Sequence, residues 1–158
     1  MSSPSVRAVA AEFPRLHQLR RMAWGLLLLL VLESLLGIFA NLFITLPKGD
    51  VIGAIFTSIP VLALHVFDGF AMLLLAAYFL LLAHRAGLRR LRNVAALEVV
   101  FVAFAIQEGF AFAATQNNDY SFGMEVGFLL AILGVARLLY LLGHQPVDVP
   151  TEGIPIAV

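Results

Sequence analysis

Long apolar runs separated by short polar segments dominate the chain. Each of four runs is longer than the roughly 20 residues that a helix needs to cross a bilayer. The predicted spans cover residues 22–45, 60–83, 94–115 and 120–142. Pro60 suits the first turn of a helix, and the polar residues 115–121 suit a tight turn between helices. The pattern therefore predicts an all-α polytopic membrane protein, folded as an antiparallel bundle of four transmembrane helices.

The composition indicates lipid as the solvent and narrows the functional classes. Of the 158 residues, 61% are hydrophobic and 13% are charged, whereas an average soluble domain has about 25% charged residues. The formal net charge of +0 gives no general attraction to nucleic acid, so no nucleic-acid partner is expected. The lack of cysteine excludes thiol redox chemistry and iron–sulfur clusters. The sequence contains no known hydrolase or nucleotide-binding motif, which argues against an enzyme.

Positive charges concentrate on one side of the predicted membrane domain. Residues 1–21 and the connection between the second and third spans hold eight of the ten Lys and Arg residues. The positive-inside rule then predicts that both termini lie in the cytoplasm. We expect a multi-pass protein of the cell membrane with a cytoplasmic flank at 1–21, a membrane domain at 22–143 and a flexible cytoplasmic tail at 144–158.

Polar residues inside the predicted spans carry the main functional signal. A charged residue at a helix centre costs about 2.5–3.5 kcal/mol on insertion scales. Such residues should therefore face one another or a wet cavity. They are Glu33, Asn41, His65, Asp68, Glu98, Gln107, Glu108, Glu125 and Arg137.

Counting along the spans sorts these residues into an inner and an outer layer. Glu98 and Arg137 lie at similar depth in the third and fourth spans, near the cytoplasmic side. Adjacent antiparallel helices would bring them together, which predicts a structural ion pair. The outer layer predicts a polar pocket built from all four helices. Its predicted members are Glu33, Asn41, His65, Asp68, Glu108 and Glu125.

Several ligands suit a pocket of this kind. A b-type haem would take His65 and Met124 as axial ligands. A quinone or another amphipathic molecule would form hydrogen bonds with His65 and Asn41. A metal site is a weaker interpretation, because the spacing of His65, Asp68, Glu108 and Glu125 matches no ligand motif.

Two further interpretations need no bound cofactor. Intramembrane carboxylates could carry protons in a coupled transporter. The chain could also be an accessory subunit whose partners are the lipid bilayer and other membrane proteins, or further copies of itself. Of all these alternatives, we favour an accessory or ligand-binding subunit of a membrane complex.

Small residues recur at helical spacing on two of the spans. Gly123, Gly127, Ala131 and Gly134 form one stripe, and Ala105, Gly109 and Ala113 form another. Such stripes allow helix backbones to approach closely. We expect them to pack within the bundle rather than between copies of the chain.

Short motifs resemble those of a group of small four-span bacterial membrane proteins without a characterised function. They are "NLF" at 41–43, Pro47, His65, Gly69, "EGFAF" at 108–112, Ser121 and Met124. The resemblance implies the same four-helix fold and no particular activity. Glu33 and Glu108 stand where a neutral amide is expected in that group, which puts a shared proton-handling role in doubt.

Overall fold

The computed structural model describes residues 4–45, 53, 55, 56 and 59–144, apart from the side chains of residues 4–15 and of Asn41. Four long helices make up this part of the chain. They are α1 (Pro4–Phe43), α2 (Pro60–Arg85), α3 (Arg89–Thr115) and α4 (Asn118–Gly143). The described residues contain no strand, which confirms the predicted all-α fold. Of the predicted tail, only His144 is described.

Local sequence signals set the helix ends. Pro60 occupies the start of α2, where its missing N–H breaks no helical hydrogen bond. Gly87 has a φ of +70° in the turn between α2 and α3, a conformation that glycine adopts without steric cost. The side chain of Asn117 caps α4 by accepting a hydrogen bond from the Asp119 N–H at 3.0 Å. At the other end of the chain, α1 begins at Pro4, well before the predicted first span.

The helices form a closed ring in which each packs against the next in sequence and α4 returns to α1. One apolar layer lies at the predicted cytoplasmic end and a second lies at mid-depth. The first is built from Leu19, Ala23, Phe79, Ala83, Leu91, Ala95 and Leu138. The second is built from Leu26, Leu30, Met72, Ala76, Val102, Ala131 and Val135. The half beyond the second layer, where α1 and α3 end, is called the outer half after its predicted orientation.

The outward surface of the bundle is apolar. Large side chains point away from the core, among them Leu28 and Leu74, which are 69% and 72% exposed. Each of the four helices contains a stretch of 25 to 27 residues long and apolar enough to cross a membrane. An exposed apolar surface of this extent belongs in contact with lipid rather than water. The chain is therefore a multi-pass membrane protein.

The glycines of α4 fit against side chains of α3. A Cβ built at Gly127 would lie 2.9 Å from Phe104 and 3.2 Å from the backbone nitrogen of Ala105. Cβ atoms built at Gly134 and Gly123 would overlap the carboxyl groups of Glu98 and Glu108. The predicted small-residue stripe thus packs inside the bundle, where it allows α3 and α4 to approach closely.

Candidate functional site: a cavity in the outer half

A cavity of about 680 Å³ lies between the four helices in the outer half. Met72, Val102 and Ala131 of the middle apolar layer form its floor. Ile55, from the connection between α1 and α2, is buried and packs near Ala113 at the outer end of the cavity. Its volume falls within the range of about 300–1,000 Å³ that is usual for small-molecule sites.

The cavity exists because the outer half has small residues at inward positions. The two apolar layers fill the bundle interior with leucine, valine, methionine and phenylalanine side chains packed together with alanines. At the same faces in the outer half, the lining residues include Gly37, Gly69, Ala105, Gly109 and Ala113. The larger side chains set the spacing between the four helices. The helices therefore cannot move closer together where the inward residues are small. The change from large to small residues along the bundle therefore leaves space between the helices.

Three ionisable residues, called the Glu33 cluster, lie at one wall of this space: Glu33 and His65 line the cavity, whereas Asp68 does not. In the antiparallel α1–α2 pair, the ring of His65 lies over Gly37, with Cε1 at 3.6 Å from a Cβ built there. Glu33 lies one turn away on α1, and its Oε1 atom is 3.0 Å from Nδ1 of His65. Asp68 interacts electrostatically with both Glu33 and His65. The cluster thus joins α1 to α2 through a carboxylate–imidazole contact.

The Glu33 cluster is buried and incompletely paired. Glu33 and Asp68 are only 8% and 6% exposed. The Glu33–His65 contact is an ion-pair contact without an aligned hydrogen bond, and Oε2 of Glu33 and Oδ2 of Asp68 have no hydrogen-bond partner. Buried polar atoms are normally satisfied, so each of these atoms has capacity for a further partner. Glu33 also lines the cavity, so its carboxyl group lies beside any molecule bound there.

The other predicted pocket residues divide into two groups. Met124 and Glu125 of α4 line the cavity. Glu108 does not, because it lies one position from the lining residue Gly109 and directs its carboxyl group toward Gly123 of α4. Asn41 belongs to α1, but its side chain lies outside the described residues.

The predicted ion pair between Glu98 and Arg137 is not formed. Glu98 is 1% exposed and both of its carboxylate oxygens lack a hydrogen-bond partner. Arg137 is exposed, and its guanidinium lies 5.1 Å from the centroid of the Tyr140 ring. The two residues are at similar depth, but Arg137 follows buried Val135 by two positions, about 200° around the helix. The prediction paired the two residues because they lie at the same depth. They do not meet, because Arg137 lies on a different face of its helix.

The cavity is bordered by exposed residues on the side where α1 meets α4. Ile38 of α1 and Leu129 of α4 both line the cavity and are both 58% exposed. On the opposite side, the ring centroids of Phe70 and Phe110 lie 6.2 Å apart between α2 and α3. The contact between α1 and α4 is also the least extensive of the four in the ring. The side between α1 and α4 is therefore the candidate route from the bilayer into the cavity.

Sequence reasoning missed part of the lining. Ser34, which follows Glu33 in the first span, and Gln116, which follows the end of α3, contribute polar atoms to the cavity, and the prediction includes neither. The sequence signal that indicates the rest of the lining is the set of glycines and alanines at inward positions on three helices. We interpreted part of that set as packing residues, and Gly109 lines the cavity in addition to facing Met124.

No metal site is assembled from the part of the chain that the structure describes. No group of three or more His, Asp or Glu side chains there is arranged to hold a metal ion.

Comparisons of the sequence with protein families and curated proteins, and of the fold with solved structures, give no match. The arrangement of the cavity is therefore the basis for a functional assignment.

Proposed function

We propose that this protein binds an amphipathic small molecule in the outer-half cavity, as a ligand-binding component of the membrane. The observation that carries the proposal is the position of the Glu33 cluster, buried in the wall of a cavity that is otherwise mostly apolar. Ligand sites combine an apolar lining with a few polar groups that fix orientation. A polar head would meet Glu33 and His65, while apolar groups would lie against residues such as Ile106 and Phe128.

The route between α1 and α4 suits a ligand that is dissolved in the bilayer. Such a molecule would reach the cavity past Ile38 and Leu129 without crossing the aqueous phase. A quinone or quinol, a lipid or another lipophilic compound meets this requirement. Membership of a larger membrane complex and coupled proton transport remain predictions from the sequence.

Gently extracted protein provides the first test of ligand binding. Gly37→Leu is designed to fill the cavity, because Gly37 lines it and a Cβ there has ordinary van der Waals clearance from His65. We expect native mass spectrometry of the wild-type protein to detect a bound small molecule that is depleted in Gly37→Leu. His65→Ala should lower its occupancy, since the side chain that contacts its polar head is removed.

A matched control separates filling of the cavity from a general effect on α1. Gly25 is on the same helix and has the same 3.6 Å clearance, there to Leu75 in the opposite half of the bundle. Gly25→Leu should retain the bound molecule. Equal occupancy in wild type, Gly37→Leu and Gly25→Leu would contradict binding in the cavity.

A b-type haem is the second candidate, and the orientation of His65 favours it. Because Nδ1 faces Glu33, Nε2 is left to act as a ligand, and metal-bound histidines commonly contact a carboxylate through their other nitrogen. Met124 lines the same cavity and would be the second axial ligand. Haem would give the purified protein an absorption band that shifts on reduction and is lost in His65→Ala. A colourless protein after expression with added haem precursor would contradict this candidate.

A further inference from the structure

Acidic groups dominate the ionisable residues around the cavity. Glu33 and Glu125 line it, and Asp68 interacts with Glu33 from behind. His65 is the basic partner within the cluster, and it can balance at most one carboxylate. None of the described residues that line the cavity is Lys or Arg.

This imbalance has a direct chemical consequence for the ligand. An anionic head group, such as a phosphate or a carboxylate, would lie beside Glu33 without a Lys or Arg from the described lining to pair with it. A cationic head would instead lie beside the carboxyl group of Glu33, which lines the cavity. The difference in binding between a cationic and an anionic head is larger in a medium of low polarity than in water, because opposite charges attract more strongly there.

We propose that the cavity selects amphipathic cations over neutral and anionic molecules of the same shape, and that Glu33 is their charge partner. The ligand class is a positively charged centre surrounded by apolar or aromatic groups. This inference rests on the proposed function, since it names the ligand class of the same cavity. The half-buried aromatic and thioether groups of the lining, including Phe110, Phe128 and Met124, suit the apolar part of such a cation.

Three probes of similar shape and different charge test the selectivity. They are tetraphenylphosphonium, which is cationic, tetraphenylsilane, which is neutral, and tetraphenylborate, which is anionic. Equilibrium dialysis against wild-type protein in uncharged detergent, with protein-free micelles as the blank, gives the specific binding of each. We expect tetraphenylphosphonium to bind at least about tenfold more tightly than either other probe.

Two glutamate variants assign the selectivity to the cavity. Glu33→Gln should remove the preference for the cation, whereas Glu108→Gln should keep it, because Glu108 is an intramembrane carboxyl that does not line the cavity. Asp68→Asn should weaken the preference for the cation. It provides a second test of the cluster in case Glu33→Gln does not fold. Helix content measured by circular dichroism establishes which variants are folded.

The outcomes separate this inference from the proposed function. Equal binding of all three probes, lost in Gly37→Leu, would overturn cation selectivity while amphipath binding stands. A cation preference that survives in folded Glu33→Gln, or a failure of tetraphenylphosphonium to bind, would also overturn the inference. A native molecule that occupies the cavity in either case would still support the proposed function.

Discussion

The contact between Glu33 and His65 is the residue-scale feature with the most direct consequence for stability. The two side chains belong to different helices and lie 3.0 Å apart in a buried setting. We predict that Glu33→Gln and His65→Ala each destabilise the fold, and that the double variant loses less than the sum of the two. The coupling energy should fall within about 0.5–3 kcal/mol. Unfolding of the four proteins in mixed micelles with increasing denaturing detergent measures it, and strictly additive losses would contradict the contact.

Glu98 and Arg137 lead to the opposite prediction, because they do not interact. Glu98→Met keeps an unbranched side chain and removes a buried carboxyl without a partner, so stability should be unchanged or increased by about 1–3 kcal/mol. Arg137→Gln removes an exposed cation beside Tyr140 and should cost no more than about 1 kcal/mol. Losses of about 3–5 kcal/mol in both variants would instead indicate a buried ion pair. The same detergent titration distinguishes the two results.

At this scale the sequence identified polar residues but not all their partners. Polarity within an apolar span singled out Glu33, His65, Asp68 and Glu98, and all four are buried or half-buried. Pairing requires the rotation of each helix as well as its depth. The rotation is set by the packing of apolar side chains along the whole interface, so depth placed Arg137 against Glu98 although it lies on another face.

At the scale of helices, Gly127 marks a close approach of α4 to the side chains and backbone of α3. A Cβ there meets both a ring and backbone of α3, so Gly127→Ala must push the helices apart. We predict a loss of about 1–3 kcal/mol, the usual cost of overpacking. Gly143→Ala is the matched control on the same helix, because a Cβ there meets no atom within 4 Å. Equal stability of the two variants would contradict the close packing of α3 and α4.

Hydropathy was sufficient to predict that four helices exist, because a span in lipid must satisfy its backbone hydrogen bonds internally. The cavity was harder to predict than the helices around it. It depends on small residues of several helices meeting at one depth, as with Gly37, Gly69 and Gly109. In a single sequence these glycines look the same as Gly127, which packs against α3.

For the whole molecule, the charge distribution predicts cytoplasmic termini, and the lack of cysteine makes this simple to test. Single cysteines at Asn118, the first residue of α4, and at Arg90, the second residue of α3, occupy exposed positions at opposite ends of the bundle. In intact cells, a membrane-impermeant maleimide should label Asn118→Cys and not Arg90→Cys. The reverse pattern would invert the predicted orientation, and the cavity would then lie toward the cytoplasm.

The central claim is that an amphipathic molecule from the bilayer occupies the cavity between the four helices. Photolabelling tests it most directly, with a lipophilic alcohol that carries a diazirine in its apolar part, followed by mapping of the labelled residues. We predict labels on inward residues such as Ile106 and Phe128, which Gly37→Leu suppresses and Gly25→Leu does not. Labels confined to lipid-facing residues such as Leu28 and Leu74, with the same pattern in both variants, would contradict the claim.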